Sequence, residues 1–413
     1  MPEFLHLVPP QAALDRLLEN IPHKSIPLGF EECLTTQALG RVTYAPVQAP
    51  YPLPSFPRSS VDGYAVRAVD TYGTSEGLPA YLSMIGEVPM GSDPGFKLSA
   101  GQCALIHTGG MLPEEADAVI MVEYTQISQK GEVEILRATA VGENVIKVGE
   151  DVEKGEVVIP AGVHLRPAEI GGLMALGITR LPVTRKPVVG ILSSGDEVVS
   201  PQDEIRPGQV RDVNTYTLSA LVVENGGKVQ AYGIIPDQLE SLYTATTRAF
   251  GECDLVVITA GSSASSRDLT ADVINRLGKP GVLVHGINIR PGKPTILAVC
   301  DGKVVIGLPG NPVSALVIAG LFLVPVLSAL SGLRQLRPKP STLARLTTNI
   351  PSQAGREDWV AVRLLHSVSG YQAEPIFGKS NLIFTLARAD GLVRIPLDAT
   401  GLSAGETVEV IFF

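Results

Sequence analysis

The chain has 413 residues, 45% hydrophobic and 18% charged, with 42 glycines and 32 prolines; this excludes wholesale disorder and a single core, and points to about two to four turn-rich domains at roughly 150 residues each. A net charge of -9 leaves no polyanion footprint, so nucleic acid is not an expected partner, although a locally positive pocket for a small anion stays open. Cys33, Cys103, Cys253 and Cys300 form no CxxC pair and no basic-then-apolar leader opens the chain, so a reduced, cytoplasmic protein is expected.

In chain order, a helix is expected from Pro10 to Asn20, and the proline-punctuated run Ala49 to Pro57 reads as a domain crossing. From 58 to about 140 the chain shows short β runs, such as Gln102 to Ile106 and Ala118 to Glu123, with no helical period. Residues 141–182 return to turns and a helical piece, Pro167 to Leu176, stopped at Gly177. We therefore expect a discontinuous connecting domain, 1–48 with 141–182, carrying an inserted β domain, 49–140.

After Pro187 strands and helices alternate: Val188 to Leu192, a helix after Asn214 ending at Gly226-Gly227, Val229 to Ile235, a helix after Asp237, Leu255 to Ile258, a helix after Arg267, Val304 to Gly307 and a helix after Pro312. That alternation is the mark of an α/β domain, 183–335, whose parallel or mixed sheet is covered by helices on both faces and binds ligands beyond the carboxyl ends of its strands. Beyond Arg337-Pro338-Lys339-Pro340 the pattern is β again, and 336–413 is expected to be a small barrel or sandwich. Val304 to Gly332 carries no charge over 29 residues, long enough to span a bilayer, but Gly310-Asn311-Pro312 and Pro325 interrupt it. A strand, a tight turn and a buried helix account for it better, so no membrane is expected.

Chemistry concentrates in loops that follow apolar strands. The stretch Thr259 to Asp268, "TAGSSASSRD", has small residues, Gly261, Ser262 and Ser263 among them, that let backbone N–H groups approach an anion at a helix start. Asp268 would hold a metal ion or cap that helix; both readings stay open. A second loop, Gly307 to Ser314, offers Gly310, Asn311 and Ser314, and a third, Ser193 to Glu197, places the carboxylates of Asp196 and Glu197 at the same sheet edge or simply forms a turn. Ile289 to Pro294, "IRPGKP", presents Arg290 and Lys293 on a stiff backbone ending at Pro294, suited to a tetrahedral oxyanion or to a solvated surface. No HExxH, GxSxG or Walker A pattern occurs, which leaves oxyanion, phosphate and carboxylate-held divalent-metal chemistry.

In this order, "SSVDGYAV" at Ser59, "IHTGGMLPEEADAVIMVE" at Ile106, "GEDVEKG" at Gly149, "SSGDEV" at Ser193, "VRDVN" at Val210, "IRPGKP" at Ile289 and "GLPGNPVSALV" at Gly307 resemble the molybdopterin molybdenumtransferases, the family that includes the C-terminal domain of gephyrin. The resemblance covers nearly the whole chain. It implies a Mg²⁺-dependent cytoplasmic transferase that inserts molybdate into adenylylated molybdopterin with release of AMP, in molybdenum cofactor biosynthesis. It also implies a homodimer with each active site between the α/β domain of one subunit and the β domain of the other, and a molybdopterin adenylyltransferase as a further partner. By motif position, Asp212 and Asp268 resemble the acidic residues near AMP and metal, Arg290 and Lys293 the cations near molybdate, and Thr385 a serine hydroxyl of the family. Asp62, Thr108, Glu150, Asp151, Asp196 and Glu197 fall on its other functional positions.

This chain departs from the family pattern at Gly261 to Ser266, at Arg290, where a lysine is usual, and at Ala361, where an arginine is expected. "SSRDLT" is also similar to the related molybdopterin adenylyltransferases, the alternative enzyme reading, though these consist of the α/β domain alone. A non-catalytic scaffold is the alternative from another class, and a tungstate-specific enzyme is a further one, since the two tetrahedral dianions are nearly equal in size.

Overall fold

A computed structural model describes residues 7–21, 28–128, 131–260, 264–334, 338–368 and 370–413. By contacts the chain divides into two compact units, one made of residues 1–45, 161–167 and 180–413, the other of 46–160 and 168–179.

The larger unit is built on a six-stranded sheet with strands β1 (Val188–Ser194), β2 (Lys228–Ile235), β3 (Leu255–Ala260), β4 (Pro280–His285), β5 (Ile296–Cys300) and β6 (Lys303–Pro309) in the order β2-β1-β3-β6-β5-β4. β2, β1, β3 and β6 are mutually parallel, β5 runs against them, and the edge strand β4, antiparallel to β5, returns to their direction. The sheet is therefore mixed. The apolar runs are apolar because alternate residues serve different faces. Val189, Ile191, Leu255 and Val257 face helices Asn214–Glu224 and Pro312–Ile318, while Leu192, Val256 and Ile258 face Leu239–Glu252 and Ala264–Leu277.

One expectation changes here. The third helix of this sheet begins at Ala264 rather than near Arg267, which puts Asp268 in its second turn and not at a cap. The N-terminal helix forms at Pro10–Glu19, but its apolar stripe, Ala13 and Leu17, is buried in the α/β core with Leu297 and Val299. Residues 1–45 fall in the larger unit and 141–160 in the smaller one. A ten-residue amphipathic helix has no core of its own, so it takes the nearest apolar face.

The helix after β6 runs from Pro312 to Leu330 and is long and apolar enough to cross a membrane by length and composition, but 56% of its apolar stretch is buried inside the protein. Pro325 does not end it. The turn before, Ala319–Leu323, is π-helical, which absorbs the missing amide donor, and Lys339 Nζ donates to the Gly320 carbonyl at 3.2 Å.

The C-terminal strands Ser341–Leu346, Glu357–Ser367, Gly370–Pro375, Gly391–Ile395 and Thr407–Phe412 close into a five-stranded barrel, since the second pairs with both the third and the fourth. A short strand of the α/β region, Ile289–Arg290, adds in parallel to Glu357–Asp358.

The smaller unit holds a second six-stranded sheet, in the spatial order Ala118–Met121, Gly63–Val66, Gln102–Ile106, Ala80–Glu87, Glu132–Ile135, Thr125–Ile127. Its two faces bury separate clusters, Tyr64, Val66 and Leu82 on one, Ala65, Leu98 and Ile106 on the other. Helix Pro167–Ala175 forms as expected, and all but its first residue belongs to this unit.

Candidate functional site

A cleft of about 780 Å³ opens in the larger unit, between the loop Ile289–Pro294, the start of the Pro312 helix and the barrel. Its wall carries Arg290, Lys293, Pro294, Asn311, Ser314 and Thr385 together, six of the residues singled out from the sequence. Each arrives by a local cause. Arg290 extends the barrel strand, its partner in register being Asp358. The backbone of Gly292 adopts φ +111°, open to glycine and strained for other residues. Asn311 precedes Pro312, which starts the helix where an amide would have no partner, and its Nδ2 donates to Ser380 Oγ at 3.0 Å.

Electrostatically the cleft is cationic. Arg290, Lys293, Arg356 and Lys379 line it against the single carboxylate of Asp358. Asp358 is buried and accepts both Arg356 Nε, 2.6 Å, and Arg356 Nη2, 2.9 Å, while Arg290 Nη1 lies 3.9 Å from it. Its neighbour Glu357, also buried, accepts from Trp359 Nε1 at 2.8 Å and Arg394 Nε at 2.8 Å. Ala361 forms an apolar floor with Val313, Val317 and Leu386. Such a cleft can hold a small anion on point charges and a guanidinium fork. The sequence reading missed Arg356, Asp358, Lys379 and Ser380; only the charged run "RED" at Arg356, a few residues before the noted Ala361, signalled the first two.

The other positions lie elsewhere. Strands β1, β3 and β6 are consecutive neighbours, so the three loops leave one sheet edge, as expected from the sequence. Gly261, Ser262 and Ser263 lie outside the described residues, and of Asp268 only its place in the helix is described. Asp212 is buried and its Oδ1 accepts the Thr215 amide at 3.1 Å, satisfying a donor of the first helical turn. Asn214 Nδ2 donates to the Gly310 carbonyl at 2.8 Å, tying this loop to the one after β6, and Asn214 Oδ1 is buried with no partner among the described residues. Asp196 is exposed and accepts the Asp237 amide at 3.2 Å; Glu197 is exposed beside it. Neither lines the cleft.

In the smaller unit, Asp62 and Thr108 come together: the Thr108 amide donates to Asp62 Oδ1 at 2.8 Å and its hydroxyl at 3.2 Å. Those bonds, the amide first, hold the Asp62 carboxyl below the usual carboxylate range, with His107 Nδ1 at 3.6 Å adding to them. His107 Nε2 lies 3.1 Å from Glu87. The Asp62-Gly63 pair has a steric cause, since a Cβ on Gly63 would meet the Ile120 carbonyl oxygen at 1.9 Å. Glu150 accepts the Lys147 amide at 2.8 Å, and the adjacent Asp151 donates its own amide to Leu53, so both are held at turns. Among the described residues no three His, Cys, Asp or Glu side chains converge as a metal cluster.

These arrangements match one known set of proteins along the whole chain. The model of the MoeA N-terminal region, domain I and II, matches residues 8–177, that of a probable molybdopterin binding domain residues 190–329, and that of the MoeA C-terminal region, domain IV, residues 343–413. A molybdopterin molybdenumtransferase of Nostoc is 33% identical over 91% of this chain and 86% of its own. The chain belongs to the MoeA family. A second relative, the molybdopterin molybdenumtransferase of Bacillus subtilis, is 31% identical over 91% of this chain and 87% of its own. Two crystal structures of molybdopterin biosynthesis MoeA proteins from Pyrococcus horikoshii superpose with TM-scores of 0.80 and 0.85, at 39% and 32% identity; each covers 98% of this chain, with 99% and 100% of their own chains matched. The MoeA architecture is thus present in full, including the barrel that carries half of the cleft wall.

Proposed function

We propose that this chain is a molybdopterin molybdenumtransferase that inserts molybdate into adenylylated molybdopterin and releases AMP, a step of molybdenum cofactor biosynthesis. The observation that carries the reading is the cleft in which Arg290, Lys293, Ser314 and Thr385 face one space beside the carboxyl ends of β3 and β6. A tetrahedral dianion is what two cations and two hydroxyls suit. The names of the relatives support the same substrates. The alternative adenylyltransferase reading loses ground because the barrel supplies Asp358, Lys379 and Thr385 to the cleft. The scaffold reading leaves a cationic cleft without a purpose.

In this reading Arg290 and Lys293 bind molybdate, Thr385 and Ser314 donate to its oxygens, and Asn311 keeps the wall in place through Ser380. Gly261, Ser262 and Ser263 take the adenylyl phosphate, and Gly310, tied to Asn214, keeps the neighbouring loop in register. Asp196, Glu197, Asp62, Thr108, Glu150 and Asp151 complete the proposed polar set for the pterin. Oxygen donors suit Mg²⁺, and the buried Asn214 Oδ1, which has no partner among the described residues, fits that hard cation, with the buried Asp212, two positions earlier in the chain, and Asp268 as the proposed carboxylates. When bound, Mg²⁺ would neutralise charge on the phosphoanhydride. Asp212 holds its own orientation through the Thr215 amide. Cytoplasmic location and a homodimer that meets an adenylyltransferase belong to the same proposal.

Single-turnover conversion of adenylylated molybdopterin tests it. AMP should appear only when molybdate is added, and Lys293→Ala should weaken molybdate roughly tenfold to over a hundredfold while sparing AMP. Tungstate in a parallel series reports which dianion is preferred. AMP release at the same rate without either anion would overturn the proposal.

A further inference from the structure

The cleft holds more positive charge than the two cations so far assigned to it. Of its four cations, Arg356 is held as a fork by Asp358, and Arg290, already assigned to molybdate, lies 3.9 Å from the same carboxylate. The other two, Lys293 and Lys379, have no carboxylate or hydrogen-bond acceptor on their ammonium groups among the described residues. Both are exposed side chains on the wall of one cleft, so a bound dianion would meet positive charge there that no carboxylate among the described residues offsets.

The backbone beside Lys379 is fixed on both sides. Ser380 accepts the Val313 amide on its carbonyl at 3.0 Å and Asn311 Nδ2 on its hydroxyl at 3.0 Å, while Ile376 donates its amide to the Ala361 carbonyl at 2.8 Å. The Lys379 carbonyl itself accepts the Leu382 amide at 3.0 Å. Lys379 therefore springs from the barrel wall at a set position, as Lys293 does from the α/β wall behind Gly292. A side chain on a fixed backbone gives up less freedom when it binds.

We infer that Lys379 is a further substrate-contacting residue, closing from the barrel side on the same tetrahedral dianion that Lys293 meets from the α/β side; this rests on the function proposed above. Position 361 brings no charge to this floor, and Lys379 supplies it from the adjoining segment. Arg356 is the cation that does not bind, because its fork is occupied by Asp358.

Calorimetric titration of the full-length protein with sodium molybdate, and separately with AMP, tests the assignment in Lys379→Ala, Lys379→Arg and Lys293→Ala. Lys379→Ala should weaken molybdate roughly tenfold to a hundredfold, leave AMP binding unchanged and flatten the salt dependence of molybdate binding, and Lys379→Arg should recover most of the affinity. If Lys379→Ala binds molybdate as the parent does while Lys293→Ala is weakened, the inference fails and the oxyanion cleft stands. If neither alanine variant is weakened, the cleft reading fails with it. A loss of AMP binding as large as that of molybdate would also overturn the inference, since it would indicate a general field effect.

Discussion

Gly292 lies against Ile318: a Cβ added to it would sit 2.2 Å from Ile318 Cγ1 and 2.4 Å from Cδ1. The loop that carries Arg290 and Lys293 is thereby seated on the buried helix behind it, and both cations leave the backbone at fixed places. Strain at φ +111° and the contact with Ile318 act together, so either alone would select glycine here.

Gly292→Ala should therefore cost stability twice, by about 1–3 kcal/mol for the backbone and about as much for overpacking, read by urea unfolding. Molybdate affinity should fall along with it while AMP binding holds. Adding Ile318→Ala to the same chain should recover only part of the molybdate affinity, because it clears the space and leaves the φ angle strained. Full recovery in the double variant would show that the backbone conformation is not a constraint.

Asp268 occupies the second turn of the helix Ala264–Leu277, too far in to cap it. Asp268→Asn should then change stability by no more than about 1 kcal/mol, the worth of a charge near a helix end. Turnover of adenylylated molybdopterin across Mg²⁺ concentrations should fall by more than tenfold at low Mg²⁺ and recover in part as Mg²⁺ rises. Wild-type turnover at every Mg²⁺ concentration would return this residue to a structural role.

The Asp62 carboxyl is held below its ordinary pKa because the Thr108 amide and hydroxyl donate to it. A carboxyl whose pKa is lower folded than unfolded contributes stability above the unfolded value, and that contribution is lost as pH falls through the folded one. Thr108→Val removes the hydroxyl and keeps the amide. The Asp62 carboxyl, followed by NMR titration, should move upward part of the way toward its ordinary value of 3.8, and the acid limb of any Asp62-dependent activity should move up with it. An unmoved titration would mean that the amide bond alone sets it.

Much of this protein is legible in its residues. The uninterrupted apolar runs Val188 to Leu192 and Leu255 to Ile258 announce strands buried on both faces, because only such strands lack polar alternation. The loops after them are visible as clusters of glycine, serine and aspartate, and those are the loops at the sheet's carboxyl edge. Direction is not visible in the same way: Ile296 to Cys300 runs against the other strands of the sheet, and the edge strand Pro280 to His285 pairs antiparallel with it. An apolar strand buries the same side chains whichever way it runs.

What tertiary structure alone decided is the company each side chain keeps. The residues of Pro10–Glu19 declare an amphipathic helix, yet nothing in them names the α/β sheet as the face they cover. Arg290 reads as a cation on a stiff loop, while its neighbour Asp358 and the opposing Lys379 come from a barrel whose closure depends on pairing between strands distant in the chain. Local periodicity reports which residues must leave water; long-range strand pairing sets which of them meet, and the cationic cleft is made of such meetings.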